Sequence, residues 1–182
     1  MEFIQTKFND VWLIEPKVFT DHRGFFLESF SQKEFADNGI AAYFVQDNHS
    51  KSVEKGVLRG LHFQKPPHAQ CKIVRITKGA VYDVIVDLRK SSPTYGQWQG
   101  FELSENNFRM LLVPQGFAHG FCTLEPDTEM IYKVNDFYAP ECDSGIIWND
   151  PTLNIGWPVE NPILSDKDAR LGNFKGFVSP FE

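Results

Sequence analysis

Residues Cys71–Leu88 read CKIVRITKGAVYDVIVDL, two apolar runs of period two with Gly79 between them. Alternation at that spacing marks a β-strand, whose successive side chains point to opposite faces. The pattern recurs in Gly24–Phe30 (GFFLESF), Phe108–Val113 (FRMLLV), Phe121–Leu124 (FCTL) and Glu129–Val134 (EMIYKV), with Gly, Pro, Asn and Asp between the runs. Short strands punctuated in this way predict an all-β sandwich or barrel. Helices are accessories. Ser31 followed by Glu34 forms a capping-box pattern with Gly39 as the stop, and a second, shorter helix is signalled at Ser165 in SDKDARLG. No internal repeat, low-complexity tract or linker-like shift divides the chain, so residues 1–182 are expected to form one domain.

Bulk properties agree. A chain of 182 residues suits one domain and can bury roughly 70% of its unfolded surface without staples. With 42% hydrophobic and 23% charged residues the composition is that of a globular protein, and 17 Phe make it unusually aromatic. A formal charge of −6, with no run of Lys and Arg, argues against a general nucleic-acid binder. Any anionic ligand has to meet a local cluster of cations. Cys71, Cys122 and Cys142 form neither an even framework nor a CxxC, which fits a reducing compartment, the cytosol by default. The opening MEFIQTKFND lacks the basic start and apolar run of a signal peptide. No stretch approaches the ~18 consecutive apolar residues of a membrane helix, so a soluble protein is expected.

The informative residues are polar ones that interrupt the apolar pattern. Gly56–Gln64, GVLRGLHFQ, reads as a buried strand yet holds Arg59 and His62, which strict alternation sends to opposite faces. Gly60 lies between them, and a glycine inside a strand often marks a bulge or bend that re-aims its neighbours. In CKIVRI, Lys72 shares a side with Val74 and Ile76, and Arg75 one with Cys71 and Ile73, so one cation of the two faces the apolar side. A long side chain snorkelling from a barrel mouth explains that equally well. Tyr132 shares a face with Met130 and Val134, which sends its hydroxyl inward, where a buried tyrosine ordinarily finds a structural partner. His119, in Val113–Phe121 (VPQGFAHGF), sits at a corner where a strand begins and a side chain can look into a cavity. Asp168 reads first as part of a cap with Ser165, and second as the acidic partner a basic histidine needs. The five histidines show no HxH or HExxH spacing, and GxSxG, P-loop and GxGxxG signatures are absent. A β-rich cavity with His, Lys, Arg and Tyr suits proton transfer beside a carbonyl on an anionic substrate.

GVLRGLHFQ, Pro66–Arg89 (PPHAQCKIVRITKGAVYDVIVDLR), VPQGFAHGF and Tyr138–Pro151 (YAPECDSGIIWNDP) resemble the dTDP-4-dehydrorhamnose 3,5-epimerases, a likeness running from DHRGFFLESF to LSDKD. The resemblance implies a cupin-type jelly roll, usually a homodimer, that epimerises dTDP-4-dehydro-6-deoxy-D-glucose at C3 and C5 with no metal or other cofactor. It implies His62 as base, Asp168 as the carboxylate behind it, Tyr132 as acid on the opposite face and Lys72 beside the developing C4 oxyanion. Further substrate contacts implied are Arg23, Glu28, Gln46, Asp47, Asn48, Arg59, His119, Asp143 and Lys167, with Tyr138 stacking on the thymine. Arg23 and Glu28 are expected to act across the dimer, so the partners implied are a dTDP-sugar and a second copy of the chain. The family's usual PEHERGI reads PECDSGI here, with Asp143 one methylene shorter than the common glutamate and Ser144 in place of arginine.

Three other readings remain open at this stage. A C3-only epimerase would use the same residues. A metal-dependent cupin would draw on His62, His68 and His119 as ligands. A non-catalytic sugar-binding jelly roll would need no inward base.

Overall fold

The computed structural model describes residues 1–182. Strands β1 (Glu2–Gln5) and β2 (Trp12–Glu15) are followed by a separate hairpin, β3 (Val18–Asp21) and β4 (Gly24–Leu27), and by the short helix α1 (Gln32–Asp37). The core strands then run β5 (Gln46–Ser52), β6 (Leu58–Gln64), β7 (Lys72–Lys78), β8 (Ala80–Asp87), β9 (Trp98–Ser104), β10 (Met110–Val113), β11 (Phe117–Thr123) and β12 (Thr128–Val134). A three-residue strand, β13 (Asp143–Gly145), follows.

Two antiparallel sheets result, in the orders β1-β2-β10-β7-β12-β5 and β13-β6-β11-β8-β9. From β5 to β8 the chain switches sheet at every strand, and after the β8–β9 hairpin it switches again at β10, β11 and β12. That winding is a jelly roll, the form of all-β sandwich or barrel that the resemblance implied, where the alternating pattern predicted only the broader class. Between the sheets pack Val74, Ile76, Leu111 and Met130 from one side and Val81, Ile85, Leu103, Phe117 and Phe121 from the other. Both sheets are also covered outside. Phe35 of α1 seals Ile14, Ile73 and Met110 on the six-stranded sheet, while Ile146, Leu153 and Phe181 seal Leu61, Phe63, Val84 and Val86 on the five-stranded one. Strand β8 is therefore apolar on both faces, which is why its sequence reads as an almost unbroken run.

Helix α1 begins where the sequence places it, with Ser31 Oγ accepting the Glu34 N–H. Only half of the expected capping box forms, because the Glu34 carboxylate takes the amino terminus at 2.7 Å instead. Gly39, at φ +79°, follows the last turn. The helix signalled at Ser165 is a single 3₁₀ turn, Asp168–Arg170. The run GFFLESF is a strand only as far as Leu27. No helix is long and apolar enough to cross a membrane.

Candidate active site

The strand that opens the site is β6, and its register is irregular. His62 pairs with His119 of β11, but Arg59 pairs with Phe121, so three steps along β6 match two along β11. The extra residue is absorbed at Gly60, which takes φ +110° and is followed by a cis peptide bond. Any Cβ there would sit 2.6 Å from Gly120 Cα and from the His119 carbonyl oxygen, so only glycine fits. Leu61 and Phe63 face the outer cluster, while Arg59 and His62 both line one cavity of about 430 Å³ between the sheets. The re-aiming expected of Gly60 is thus how the strand delivers both side chains to one place.

His62 meets Asp168 there, Nε2 lying 2.5 Å from Oδ1, with the carboxylate side chain only 4% exposed. The cap reading of Asp168 also holds, its backbone N–H bonding Ser165 Oγ at 3.1 Å. Burial alone would raise the Asp168 pKa, but hydrogen bonds from His62, Ser165 and the Gly60 amide, with the charge of His62, hold it below the usual carboxylate range.

The facing sheet supplies Lys72 from β7 and Tyr132 from β12 to the same cavity. Both sides of the alternation come out as read, with Val74 and Ile76 inward and Ile73 outward in company with Arg75. Neither the Lys72 ammonium nor the Tyr132 hydroxyl has a hydrogen-bond partner within the chain. Burial pushes the Lys72 pKa down, with the charge of Lys167 adding to it, against the pull of Asp143 and Asp83. Burial pushes that of Tyr132 up, with Arg59 pulling the other way. Two polar groups aimed into a cavity without partners are groups kept for a ligand.

His119, 8% exposed, completes the wall with Nε2 2.9 Å from both oxygens of Asp83, itself fully buried. Asp83 was not singled out from the sequence, although it interrupts an apolar run at a position sharing a face with Val81 and Ile85. Inward parity was the signal that could have found it.

An annex of about 420 Å³ shares His62, Lys72, Tyr132 and Lys167 with this cavity and adds Gln46, Asn48, Tyr138 and Asp143. Asp143 accepts the Tyr138 hydroxyl at 3.2 Å and pairs with Lys167. Arg59 is tied from behind, Nε to Ser52 Oγ at 3.3 Å and Nη2 to the Lys51 carbonyl at 3.1 Å.

Three expected contacts are not brought to the cavity. The Asp47 side chain lies on the other face of β5, paired with Lys133 at 2.8 Å, because a strand cannot send Gln46, Asp47 and Asn48 to one side. Arg23 is bound to Asp21 within the β3–β4 hairpin with its side chain 78% exposed, and Glu28 is exposed just past the hairpin's end. The ligand set of a metal cupin is not assembled either. His68 is bonded to Asp136 at 3.1 Å outside the cavity lining, and nowhere do three His, Cys, Asp or Glu side chains converge as a metal site needs.

Comparison with known proteins identifies the family. The family model described as dTDP-4-dehydrorhamnose 3,5-epimerase matches residues 5–176. The enzyme of that name from Shigella flexneri is 57% identical over 175 residues, covering 96% of each chain. The crystal structure of the Bacillus anthracis epimerase with TDP and PPi bound superposes with a TM-score of 0.94 at 55% identity, covering 95% of this chain and 99% of that one. The Legionella pneumophila enzyme, in complex with dTDP-4-keto-L-rhamnose, gives 0.91 at 45% identity, with 96% and 93% covered.

Proposed function

The chain belongs to the dTDP-4-dehydrorhamnose 3,5-epimerase family, and from that premise we propose how its own residues carry the reaction. The enzyme is an isomerase that converts dTDP-4-dehydro-6-deoxy-D-glucose to dTDP-4-dehydro-L-rhamnose. The C4 ketone acidifies the hydrogens at C3 and C5, so each centre can be inverted by losing a proton from one face and gaining one on the other.

His62 is the base. With Nε2 donating to Asp168, its Nδ1 lone pair is free to take the C3 proton, and the buried carboxylate stabilises the imidazolium that forms. The electrons of the broken C–H bond move onto the C4 oxygen, where the Lys72 ammonium meets the enolate charge. Tyr132, on the facing sheet, gives its phenolic proton to the opposite face of C3. His62 then loses its proton and the tyrosinate regains one before the same sequence runs at C5. Arg59 and Lys167 meet the diphosphate, His119 holds the sugar against its Asp83 support, and Tyr138 stacks on the base beside Gln46, Asn48 and Asp143.

The observation that carries this reading is the placement of His62 and Tyr132 on facing sheets around one cavity with an unpartnered lysine. It is tested by incubating the enzyme with dTDP-4-dehydro-6-deoxyglucose in D₂O and reading deuterium at C3 and C5 by NMR. Label at both carbons that disappears in His62→Asn is the expected result. Label surviving that substitution would remove His62 from the role of base.

Arg23 and Glu28 fit this scheme as residues lent to a second subunit. The hairpin that presents Arg23 also exposes Phe19, Phe25 and Phe26 at 52%, 58% and 65%, more apolar surface than an isolated hairpin has reason to show. The backbone of Asp47, on the edge strand beside Asn48, is what that residue offers the ligand. All three cysteines are free and buried, which suits a protein of one domain, residues 1–182, working in the reducing cytosol.

A further inference from the structure

Two residues beyond His62, strand β6 carries a buried polar side chain. Gln64 is 5% exposed and lines the annex beside Tyr138. Its amide is fully engaged, and it ties two loops together. Nε2 donates to the carbonyls of Phe137 at 3.2 Å and His68 at 2.7 Å, while Oε1 accepts the N–H of Ala139 at 2.8 Å. Phe137 and Ala139 are the neighbours of Tyr138, so a single amide clamps the peptide groups on both sides of that residue. The Tyr138 side chain itself is 59% exposed and has one hydrogen bond, to Asp143. Asp143 in turn is the residue that pairs with Gln64 across the β13–β6 ladder.

An exposed ring on a loose loop would surrender backbone and rotamer freedom each time a base stacked on it. A loop already fixed by a buried, fully satisfied amide surrenders far less, and the clamp gains strength from its dry surroundings. We infer that Gln64 is a positioning residue for base recognition: it holds the loop that presents Tyr138, from the same strand that presents His62 to the sugar. The two functions are then registered to each other by two residues of strand, about 7 Å. The inference rests on the proposed stacking role of Tyr138.

A double-mutant cycle on the dimer-competent full chain tests it, with dTDP affinity read by calorimetry and KM and kcat by steady-state kinetics. Tyr138→Ala is expected to weaken dTDP about tenfold, within the range of one base–aromatic stack. Gln64→Met is expected to weaken it about fivefold and to raise KM by a similar factor, with kcat changing by less than about threefold. Because Gln64 acts through Tyr138, the double variant should bind about as well as Tyr138→Ala alone. Gln64→Glu, which sets a buried carboxylate oxygen against the carbonyls of Phe137 and His68, should weaken dTDP at least as much as Gln64→Met, whereas Gln64→Asn, an amide one methylene short of the loop, should fall between wild type and Gln64→Met and carries the test if the methionine variant does not fold. Additive weakening in the double variant, or a Gln64 defect falling on kcat with KM unmoved, would overturn the inference while leaving the stacking role standing. Full dTDP affinity in Tyr138→Ala would overturn both.

Discussion

Gly60→Ala tests whether the bulge in β6 is what brings Arg59 and His62 together. The added Cβ would lie 2.6 Å from Gly120 Cα and from the His119 carbonyl oxygen. Both are backbone atoms, so no side chain can rotate out of the way and β11 itself has to move. The residue would also be held at φ +110°, where an L side chain costs about 1 to 3 kcal/mol. Overpacking adds a similar amount. For a chain of this size each kcal/mol lowers Tm by about 2 to 4 °C, so a drop of roughly 5 to 20 °C is expected by circular dichroism. The catalytic loss should be larger than the stability loss suggests, because β11 carries His119 and β6 carries His62. Displacing reacting groups by about 1 Å costs on the order of 10²-fold, and kcat measured well below the lowered Tm should show it. Gly172→Ala is the control: a Cβ there meets nothing within 4 Å, and Tm and kcat should stay at wild-type values. A Gly60→Ala enzyme as stable and as fast as wild type would refute the reasoning.

Lys72→Met separates the cost of the buried cation from its use. Losing the oxyanion donor should lower kcat about 10²- to 10³-fold, while removing an unpartnered, half-buried charge should raise stability by about 1 kcal/mol, or about 2 to 4 °C. Since burial lowers the Lys72 pKa in the fold, the gain is fully present below the folded value and fades as pH rises from it toward about 10.4, that of the unfolded chain; an advantage over wild type that grows as pH is raised would contradict this. Asp87 behaves in the opposite sense. Burial would raise its pKa, but Arg89, Ser92 and Thr94 hold it low with bonds at 3.0, 2.9, 2.6 and 2.7 Å. Its contribution is therefore present above about pH 4 and lost as pH falls through the depressed value. Asp87→Asn should cost about 3 to 5 kcal/mol at pH 7 by urea unfolding, with the gap to wild type closing below pH 4; a gap independent of pH would argue against the ion pair as its source.

What the sequence made legible follows from where each strand sits. Strands β7, β8, β10, β11 and β12 lie inside their sheets, flanked on both edges, and their apolar alternation announces them. Strands β1, β5, β9 and β13 are the four sheet edges, and none stands among the runs that apolar periodicity picks out. Gln46–Ser52, QDNHSKS, has no apolar residue, because one edge and one face meet water and charged or polar side chains guard the edge left unpaired. Strand β3, VFTD, is exposed at three of its four positions, so no buried face writes a period into its sequence. The helix start at Ser31 was legible because capping is local. The fate of the Glu34 carboxylate was not, since its partner is 33 residues away in the chain.

The site was legible for a related reason, and only to the same depth. A jelly roll needs its inward positions apolar, so each polar residue of inward parity is a local conflict with the fold that something else must justify. Lys72 and Tyr132 carry that conflict in its plainest form, half-buried side chains whose polar ends open into the cavity and meet no partner in the chain. His62 escapes the parity argument, because its face is decided by a bulge that pairs three steps of one strand with two of another. A glycine in the strand hints at that bulge, but only the neighbouring backbone of Gly120 shows why the glycine cannot be replaced. Asp83 and Asp168 became meaningful through histidines 36 and 106 residues away. Arg23 and Glu28 go one step further, since no contact within the chain gives either a place in the cavity. Residues whose role is fixed by one strand's alternation can be read from sequence, and those fixed by pairing across the fold need the structure.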